Sequence, residues 1–328
     1  MKILITGGAG YIGSHTLRQF LNTKHQICVL DNLSKGSQKA LEDLSTIREF
    51  QFYKQDLSDF SKVKELLLEE KFDAVVHFAA SIEVFESTQN PLKYYLNNTA
   101  NTTNLIDSCI KSGVKYFIFS STAATYGEPK SDFVSESSAL EPINPYGQSK
   151  LMSEEILRAA SKAHSGFKHC ILRYFNVAGA CMDFKIGQRY PKATLLIKVA
   201  AEVAARKRDK LFIYGDDYAT KDGTCIRDFI HVDDIASAHL AALEYLQHSK
   251  SDVFNVGYGH GFSVKEVVAM MKKVSGIDFE VECALRRQGD PSVLISDASK
   301  IRKCTSWNPK YDNLELICKS AYEWEKQC

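Results

Sequence analysis

Tyr146 and Lys150 lie four residues apart in a stretch with helical periodicity, so both side chains share one helix face, one turn apart. An ammonium about 6 Å from a phenol favours the phenolate by roughly 3 kcal/mol at an effective dielectric near 20, or about two pKa units. The spacing predicts a tyrosine general base whose phenol pKa is lowered by the lysine. A surface pair without chemistry is the alternative, and a second motif is needed to decide between them.

A glycine-rich loop follows the first apolar run of the chain. It contains Gly7, Gly10 and Gly13, with Tyr11 and Ile12 between the last two glycines. Gly10 lets the backbone approach a pyrophosphate and Gly13 lets the following helix lie close to a sheet, while the N-terminal N–H groups of that helix favour an anion. The pattern predicts a dinucleotide site, with a tight turn as the alternative.

Two acidic positions come at the ends of later apolar runs. Asp31, followed by Asn32, lies where a carboxylate accepts hydrogen bonds from the adenosine ribose hydroxyls and repels the additional phosphate of NADP. We therefore expect NAD as the cofactor. Asp56, followed by Leu57, lies where it holds the adenine amino group or only caps a helix. Asp31 has the same alternative, because it also precedes a turn.

The elements that must position these residues follow from the alternation of short β-branched runs with helical patterns. Strands are predicted at 2–6, 26–30, 50–54, 73–77, 115–120 and 168–173, and helices at 11–23, 59–70, 91–112, 145–164 and 312–326. This order predicts an α/β fold: a doubly wound parallel Rossmann sheet with a smaller α/β substrate-binding lobe. We place the nucleotide-binding domain at 1–176 and the substrate domain at 177–328, with some of the chain crossing back.

Composition excludes several classes of partner. The 328 residues include 41 Lys and Arg against 40 Asp and Glu, so we expect no nucleic acid and no membrane partner. Nine cysteines without paired spacing favour reduced thiols, and with no secretory leader or membrane-spanning run we expect a cytoplasmic protein. No second histidine or cysteine lies at metal spacing from His231, so we expect no metal.

The separate motifs together resemble one family, the extended short-chain dehydrogenase/reductases, which pair Gly-x-x-Gly-x-x-Gly with Tyr-x-x-x-Lys. Within it the chain is similar to the enzymes that epimerise UDP-sugars at C4, through residues 6–15 (TGGAGYIGSH), 173–176 (RYFN) and 227–232 (RDFIHV). The resemblance extends from residue 2 to about 325. It implies interconversion of UDP-glucose and UDP-galactose by transient oxidation at C4 with bound NAD, rotation of the 4-keto intermediate and return of the hydride.

The resemblance also implies roles for individual residues. Thr122 hydrogen-bonds the sugar 4-hydroxyl, Tyr146 is the base, and Lys150 contacts the nicotinamide ribose. Further cofactor-lining positions are Phe78, Ala79, Ala80, Asn97, Ser120 and Tyr174. The positions that hold the uridine diphosphate are Asn176, Leu196, Phe212, Tyr214, Arg227, Arg287 and Asp290. Arginine suits a diphosphate and an aromatic ring suits a stacked base. A homodimer built on helices 91–112 and 145–164 is implied as well.

Three positions depart from the common pattern of these relatives. Ile82 replaces a lysine, Leu195 replaces a polar residue, and Leu294 lies where a tyrosine often limits the size of the sugar. The shorter apolar side chain of Leu294 leaves open whether the enzyme accepts N-acetylated UDP-sugars such as UDP-GlcNAc and UDP-GalNAc.

Other functions share part of the motif set. Sugar-nucleotide dehydratases and decarboxylases have the same loop, tyrosine and lysine, but dehydratases place an acidic residue directly after the threonine, where this chain has Ala123. A non-catalytic NAD-binding regulator is the remaining alternative. Such a protein has no need of Thr122, Tyr146 and Lys150 together.

Overall fold

The structure is a computed structural model that describes residues 1–287 and 289–328. Its strands are, in chain order, β1 (Lys2–Thr6), β2 (Gln26–Asp31), β3 (Gln51–Lys54), β4 (Ala74–His77), β5 (Tyr116–Thr122), β6 (Phe133–Val134), β7 (Lys168–Tyr174), β8 (Asn176–Ala178), β9 (Lys210–Tyr214), β10 (Ile226–Arg227), β11 (Phe229–His231), β12 (Asp252–Val256), β13 (Phe262–Ser263), β14 (Glu280–Ala284) and β15 (Val293–Ser296). Its α-helices are α1 (Tyr11–Leu21), α2 (Gln38–Ser45), α3 (Phe60–Glu70), α4 (Val84–Gln89), α5 (Pro91–Tyr94), α6 (Asn101–Lys111), α7 (Pro145–Ala163), α8 (Leu196–Ala204), α9 (Val232–His248), α10 (Val264–Ser275), α11 (Ser299–Cys304) and α12 (Leu314–Gln327).

A central parallel sheet carries helices on both faces. Within the described residues its strand order is β12-β7-β5-β4-β1-β2-β3. Ile3 and Ile5 of β1 join the core beside α1 and α9, whereas Leu4 joins the core beside α3, α6 and α7. Burial on both faces explains why the strand sequences are continuous apolar runs rather than alternating ones. The predicted doubly wound Rossmann sheet is confirmed.

A second lobe is built from shorter strands and the helices of the C-terminal half. In the part of the chain that the structure describes, one small sheet has the order β13-β10-β15-β6, and β11-β8 and β14-β9 form pairs. Helices α8, α10 and α12 pack against one another beside these strands. This is the smaller α/β lobe that the sequence predicts.

The chain crosses between the lobes in both directions. Strand β6, from the first half, pairs with β15 in the second lobe, whereas β12 pairs with β7 in the central sheet. Helix α9 packs against α1 on the central sheet. Each lobe therefore contains segments from both sides of residue 176. The division into domains at 1–176 and 177–328 stays a prediction.

The predicted helix over 91–112 is three consecutive segments: α5, a π-helix (Tyr95–Ala100) and α6. Asn98, inside the π-helix, has a buried side chain that accepts the Ser81 N–H at 2.8 Å and donates to the Ser81 carbonyl at 2.9 Å and the Ser149 hydroxyl at 3.0 Å. A π-turn is wider than an α-turn and is frequent at functional sites. Here it ties the segment after β4 to α7.

All nine cysteines lie within the described residues, and none forms a disulfide. Among the helices that the structure describes, none combines the length and the apolar character needed to span a bilayer.

Candidate active site

The glycine loop after β1 requires its glycines. Gly7 has a φ of +72°, and a Cβ on it would lie 2.6 Å from the backbone nitrogen of Ala79 at the end of β4. A Cβ on Gly13 would lie 2.1 Å from the carbonyl oxygen of Gly7. Gly10 is the N-cap of α1 without any side-chain cap, so the first N–H groups of the helix, beginning at Tyr11, have no intrahelical acceptor. This is a cradle for a phosphate.

Asp31 is buried at the end of β2, beside that loop. Its carboxylate accepts the N–H of Ala9 at 3.0 Å and the N–H of Leu33 at 2.8 Å. Burial raises the pKa of Asp31, and the two backbone hydrogen bonds oppose the rise. The bond to Leu33 is the turn cap that the sequence allowed, yet each carboxylate oxygen retains a second lone pair for a ribose hydroxyl. The two roles are compatible.

Asn32 and Asp56 come together at the ends of β2 and β3. The Asn32 amide donates to Asp56 Oδ2 at 2.5 Å, and Asp56 Oδ1 accepts the Ser58 N–H at 2.8 Å. These hydrogen bonds, that from Asn32 first, lower the pKa of Asp56. Leu57 is buried behind them. This sheet edge therefore combines an uncapped helix N-terminus, which suits a phosphate, with a buried carboxylate, which suits a ribose hydroxyl. These groups fit NAD.

Most of the remaining predicted cofactor-lining positions lie at or just after the carboxyl ends of β4, β5 and β7, which meet at the same sheet edge as that of β1. Asn97 lies in the π-helix. The Phe78 ring lies 4.6 Å from the His239 ring, and the Tyr174 hydroxyl hydrogen-bonds Nε2 of His239. The Asn97 amide donates to the Ser81 hydroxyl at 3.3 Å. Ala79 and Ala80 continue the segment after β4, with Ala79 against the glycine loop.

Lys150 and Tyr146 lie on the first turns of α7, which begins at Pro145 with Asn144 as its N-cap. The Lys150 ammonium is buried and donates to the Ser120 carbonyl at 2.8 Å. Burial lowers the pKa of Lys150 to about 7, opposed by the charge of Glu154. Thr122, the last residue of β5, accepts the Ala124 N–H at 3.1 Å through its hydroxyl oxygen.

The pKa of Tyr146 departs from the expectation. Burial raises it to about 12, and hydrogen bonding with the Thr122 side chain opposes that rise. The prediction that Lys150 lowers the pKa of the Tyr146 phenol is therefore wrong. Burial dominates, and the Lys150 ammonium donates to the carbonyl of Ser120. The Tyr94 ring contacts Tyr146 edge-on, with 6.3 Å between the ring centres.

A buried ion pair lies behind these residues, and the site predicted from the sequence does not include it. The guanidinium of Arg173 donates twice to the carboxylate of Glu154, at 2.7 and 3.0 Å, and donates to the Tyr126 hydroxyl at 3.0 Å. The Ser121 hydroxyl also donates to Glu154. The sequence carries a signal for it, since Glu154 lies one turn after Lys150 on the same helix face.

On the second lobe, aromatic and cationic side chains gather at β9. Phe212 and Tyr214 are two residues apart on one face of the strand and remain substantially exposed, with 6.4 Å between their ring centres. The guanidinium of Arg287 lies 3.6 Å from the centre of the Tyr214 ring. Asp290 follows on the same loop as Arg287.

Arg227 lies on β10, directly opposite Leu294 of the parallel strand β15. Its guanidinium donates to the Pro291 carbonyl at 2.5 Å and the Ile226 carbonyl at 2.9 Å, so part of its fork already has backbone acceptors. Leu294 is buried in an apolar cluster with Ala123, beside Thr122.

The other substrate positions open secondary structure elements. Asn176 begins β8, and Leu196 begins α8 with Leu195 as its N-cap. Leu195 lines a cleft that also contains Tyr11 and Gly179. Ile82, the third departure from the pattern, is partly exposed in the segment after β4.

Comparisons with known proteins show which family and which relatives this chain is similar to. Residues 3–257 match the family described as the NAD dependent epimerase/dehydratase family. The UDP-glucose 4-epimerase of Lacticaseibacillus casei is 44% identical over 327 residues, which cover 99% of this chain and 97% of the relative.

Solved structures agree with the sequence relatives. The UDP-Glc/GlcNAc 4-epimerase from Campylobacter jejuni is 78% identical, with a TM-score of 0.88, and the match covers 100% of this chain and 99% of that one. The UDP-glucose 4-epimerase from Bifidobacterium longum, solved in complex with NAD+ and UDP, is 35% identical with a TM-score of 0.96, over 100% of this chain and 98% of that one.

Proposed function

The chain belongs to the NAD dependent epimerase/dehydratase family, and from this premise we propose that it is a UDP-sugar 4-epimerase that interconverts UDP-glucose and UDP-galactose. The observation that carries the proposal is the placement of Thr122, Tyr146 and Lys150 together at the carboxyl end of β5, at the same sheet edge as the glycine loop. A non-catalytic regulator has no need of this set, and this chain has Ala123 at the position where a dehydratase needs an acidic residue.

The glycine loop and Asp31 would hold NAD, which would supply a hydride acceptor for C4 of the sugar and a hydride donor for the return step. Tyr146 takes the proton of the 4-hydroxyl as that hydride leaves, so a C4 ketone forms, and Tyr146 gives the proton back when the hydride returns to the other face. The Thr122 hydroxyl holds the 4-oxygen next to the phenol. Because burial raises the pKa of Tyr146 to about 12, base catalysis requires positive charge near the phenol in the occupied site. Lys150, one turn along α7, is the residue proposed to supply it, which requires its ammonium to turn from the Ser120 carbonyl toward the phenol.

The uridine diphosphate is held by the second lobe in this proposal. Phe212 and Tyr214 present ring faces for the base, and Arg287, stacked on Tyr214, presents a guanidinium for the phosphates. With the nucleotide anchored away from the reacting carbon, the 4-keto sugar can rotate between the two hydride transfers. Asn176, Leu196, Arg227 and Asp290 complete the proposed substrate site.

N-acetylated sugars are a second substrate class that a specific observation favours. The Campylobacter jejuni protein that is 78% identical is described as a UDP-Glc/GlcNAc 4-epimerase. Leu294 has no hydroxyl and is shorter than tyrosine, and it shares a buried apolar cluster with Ala123, the residue after Thr122. We extend the proposal to UDP-GlcNAc and UDP-GalNAc.

A homodimer is proposed from an apolar stripe that the chain leaves uncovered. Leu92 and Leu96, one turn apart on α5 and the π-helix, are 70% and 66% exposed. Met152 and Ile156, also one turn apart, are only partly covered on the neighbouring helix α7. A second copy presenting the same helices would cover both stripes as a helix bundle.

The nine free thiols suit a reducing compartment, so we place the enzyme in the cytoplasm.

The test is a coupled assay of purified protein without added NAD. UDP-galactose should be converted to UDP-glucose with no net NADH released, and UDP-GalNAc should be converted to UDP-GlcNAc. Protein that carries NAD but converts neither substrate would contradict the proposal. Activity that consumes free NAD and releases NADH stoichiometrically would instead identify a dehydrogenase.

A further inference from the structure

A short segment of the second lobe lies beside the phosphate-binding loop of the first. Gly187, Arg189 and Tyr190 line the same cleft as Gly10 and Ser37. The segment belongs to neither the glycine loop nor the substrate strands. It brings residues of the second half of the chain to the glycine loop of the first.

Trp324 of α12 fixes this segment in place. Gly187 lies flat on the indole, since a Cβ there would be 2.5 Å from a ring carbon. The indole N–H donates to the Gln188 carbonyl at 3.4 Å, and the Arg189 guanidinium lies 4.7 Å from the ring centre. Three consecutive residues are therefore held on one aromatic platform, which directs Arg189 toward the first lobe.

Arg189 connects the two lobes across the cleft. Its guanidinium donates to Asp43 of α2 at 2.9 Å. Its Nε is buried and has no hydrogen-bond partner among the described protein groups, so the guanidinium retains donor capacity. Next to it, the Lys35 ammonium lies 5.1 Å from the centre of the Tyr190 ring. Two cations thus border a cleft whose floor is the N-terminus of α1.

We infer that Arg189 and Asp43 form a clasp that retains NAD between the two half-reactions. This inference rests on the proposed function, in which the hydride returns to the same sugar and loss of the reduced cofactor would end the cycle. The diphosphate of NAD carries two negative charges, and a guanidinium fork is suited to phosphate oxygens. The ion pair with Asp43 closes the cleft, while the charge of Arg189 opposes release of the anionic cofactor.

The experiment follows NAD rather than turnover. Holoenzyme is freed of unbound nucleotide by gel filtration, and the NAD retained per chain is measured over time by chromatography of the acid-released cofactor. Arg189→Ala should release NAD about three to ten times faster than the unmodified protein. Asp43→Asn should also accelerate release, because it breaks the clasp while leaving Arg189 charged. Lys192→Ala, which removes an exposed charge from the same segment outside the cleft, should release NAD at the unmodified rate.

Release from Arg189→Ala or Asp43→Asn at the unmodified rate would overturn the clasp, as would equal acceleration by Lys192→Ala. Circular dichroism of each variant before the measurement shows that the fold is retained. Failure of the proposed function is distinguishable, because unmodified protein would then contain no NAD or would not epimerise any UDP-sugar.

Discussion

The carboxylate of Glu154 and the guanidinium of Arg173 form a two-point ion pair that is enclosed by protein on all sides. The Glu154 side chain has no exposed surface and that of Arg173 has 1%. The pair joins α7, which carries Tyr146 and Lys150, to β7, and Ser121 joins it to β5. It therefore holds together α7, β5 and β7, the first two of which carry the proposed catalytic residues.

Glu154→Gln should lower the free energy of unfolding by about 3–5 kcal/mol, because it leaves the Arg173 charge buried without its partner. The double variant Glu154→Gln/Arg173→Met removes both charges and should be less destabilised than the sum of the two single variants. Urea unfolding gives the free energy of unfolding of the unmodified protein, Glu154→Gln, Arg173→Met and the double variant. Glu155→Gln, on the exposed face of the same helix, should change stability by no more than about 0.5 kcal/mol. Strict additivity would show that the pair is not coupled.

The sequence predicts the central sheet and the glycine loop well, because both depend on local patterns. The runs that became β1, β2 and β7 are apolar on both faces, and the glycines are required by close backbone contacts at Gly7 and Gly13. Helix α2 is not predicted. It has only eight residues, although Ser37 caps it and Leu41 and Leu44 form its buried face.

Contacts between segments that are far apart in the chain could not be predicted from local sequence patterns. The pairing of β12 with β7 and of β6 with β15 depends on how the lobes interlock. The pKa of Tyr146 was expected to fall from the spacing to Lys150, but it depends on burial and on where the ammonium points, at the Ser120 carbonyl. Arg189 lines the same cleft as Gly10 of the glycine loop, and the indole of Trp324, 135 positions later, supports its segment.

His239 should make stability depend on pH. Its Nδ1 is paired with the Ile235 carbonyl and its Nε2 with the Tyr174 hydroxyl, and burial lowers the pKa of His239 to about 4. The unfolded chain, with a histidine pKa near 6.5, binds a proton that the folded chain does not. Stability is therefore fully present above about pH 6.5 and falls as the pH drops toward 4.

His239→Gln should remove about 2 kcal/mol of the stability lost between about pH 7 and pH 5. Urea unfolding at both pH values gives the difference. His248→Gln, on the exposed end of the same helix, should leave the pH dependence unchanged. An identical pH dependence in His239→Gln and the unmodified protein would contradict the assignment of a neutral buried imidazole.

Tyr146→Phe should reduce kcat with UDP-galactose by about 10²- to 10⁴-fold, because it keeps the ring and removes the proposed acceptor of the 4-hydroxyl proton. The NAD content of the purified variant should be unchanged, which separates loss of the base from loss of the cofactor site. The measurement is the coupled assay together with chromatography of released NAD. Turnover at the unmodified rate would rule out Tyr146 as the base.

Leu96→Glu should convert the proposed homodimer to a monomer, because it places a charge in the exposed apolar stripe formed with Leu92. Light scattering at micromolar concentration should give the mass of one chain, against two for the unmodified protein. Leu285→Glu, a substitution at the most exposed leucine of the second lobe, should leave the mass unchanged. A monomeric unmodified protein would contradict the proposed dimer.

Leu294→Tyr should narrow the sugar specificity. Leu294 shares a buried apolar cluster with Ala123, the residue after Thr122, and lies opposite Arg227 on the neighbouring strand. Thr122 and Arg227 are both proposed substrate positions, so we expect a larger ring here to take up space in the proposed sugar site. An N-acetyl group needs that space, whereas a hydroxyl does not. We expect kcat/KM for UDP-GlcNAc to fall at least about tenfold relative to UDP-glucose, since the clash acts on one substrate only. Leu294→Met, of similar volume, should keep the ratio. Equal losses for both sugars would show that Leu294 supports the turn at Thr122 rather than selecting the sugar.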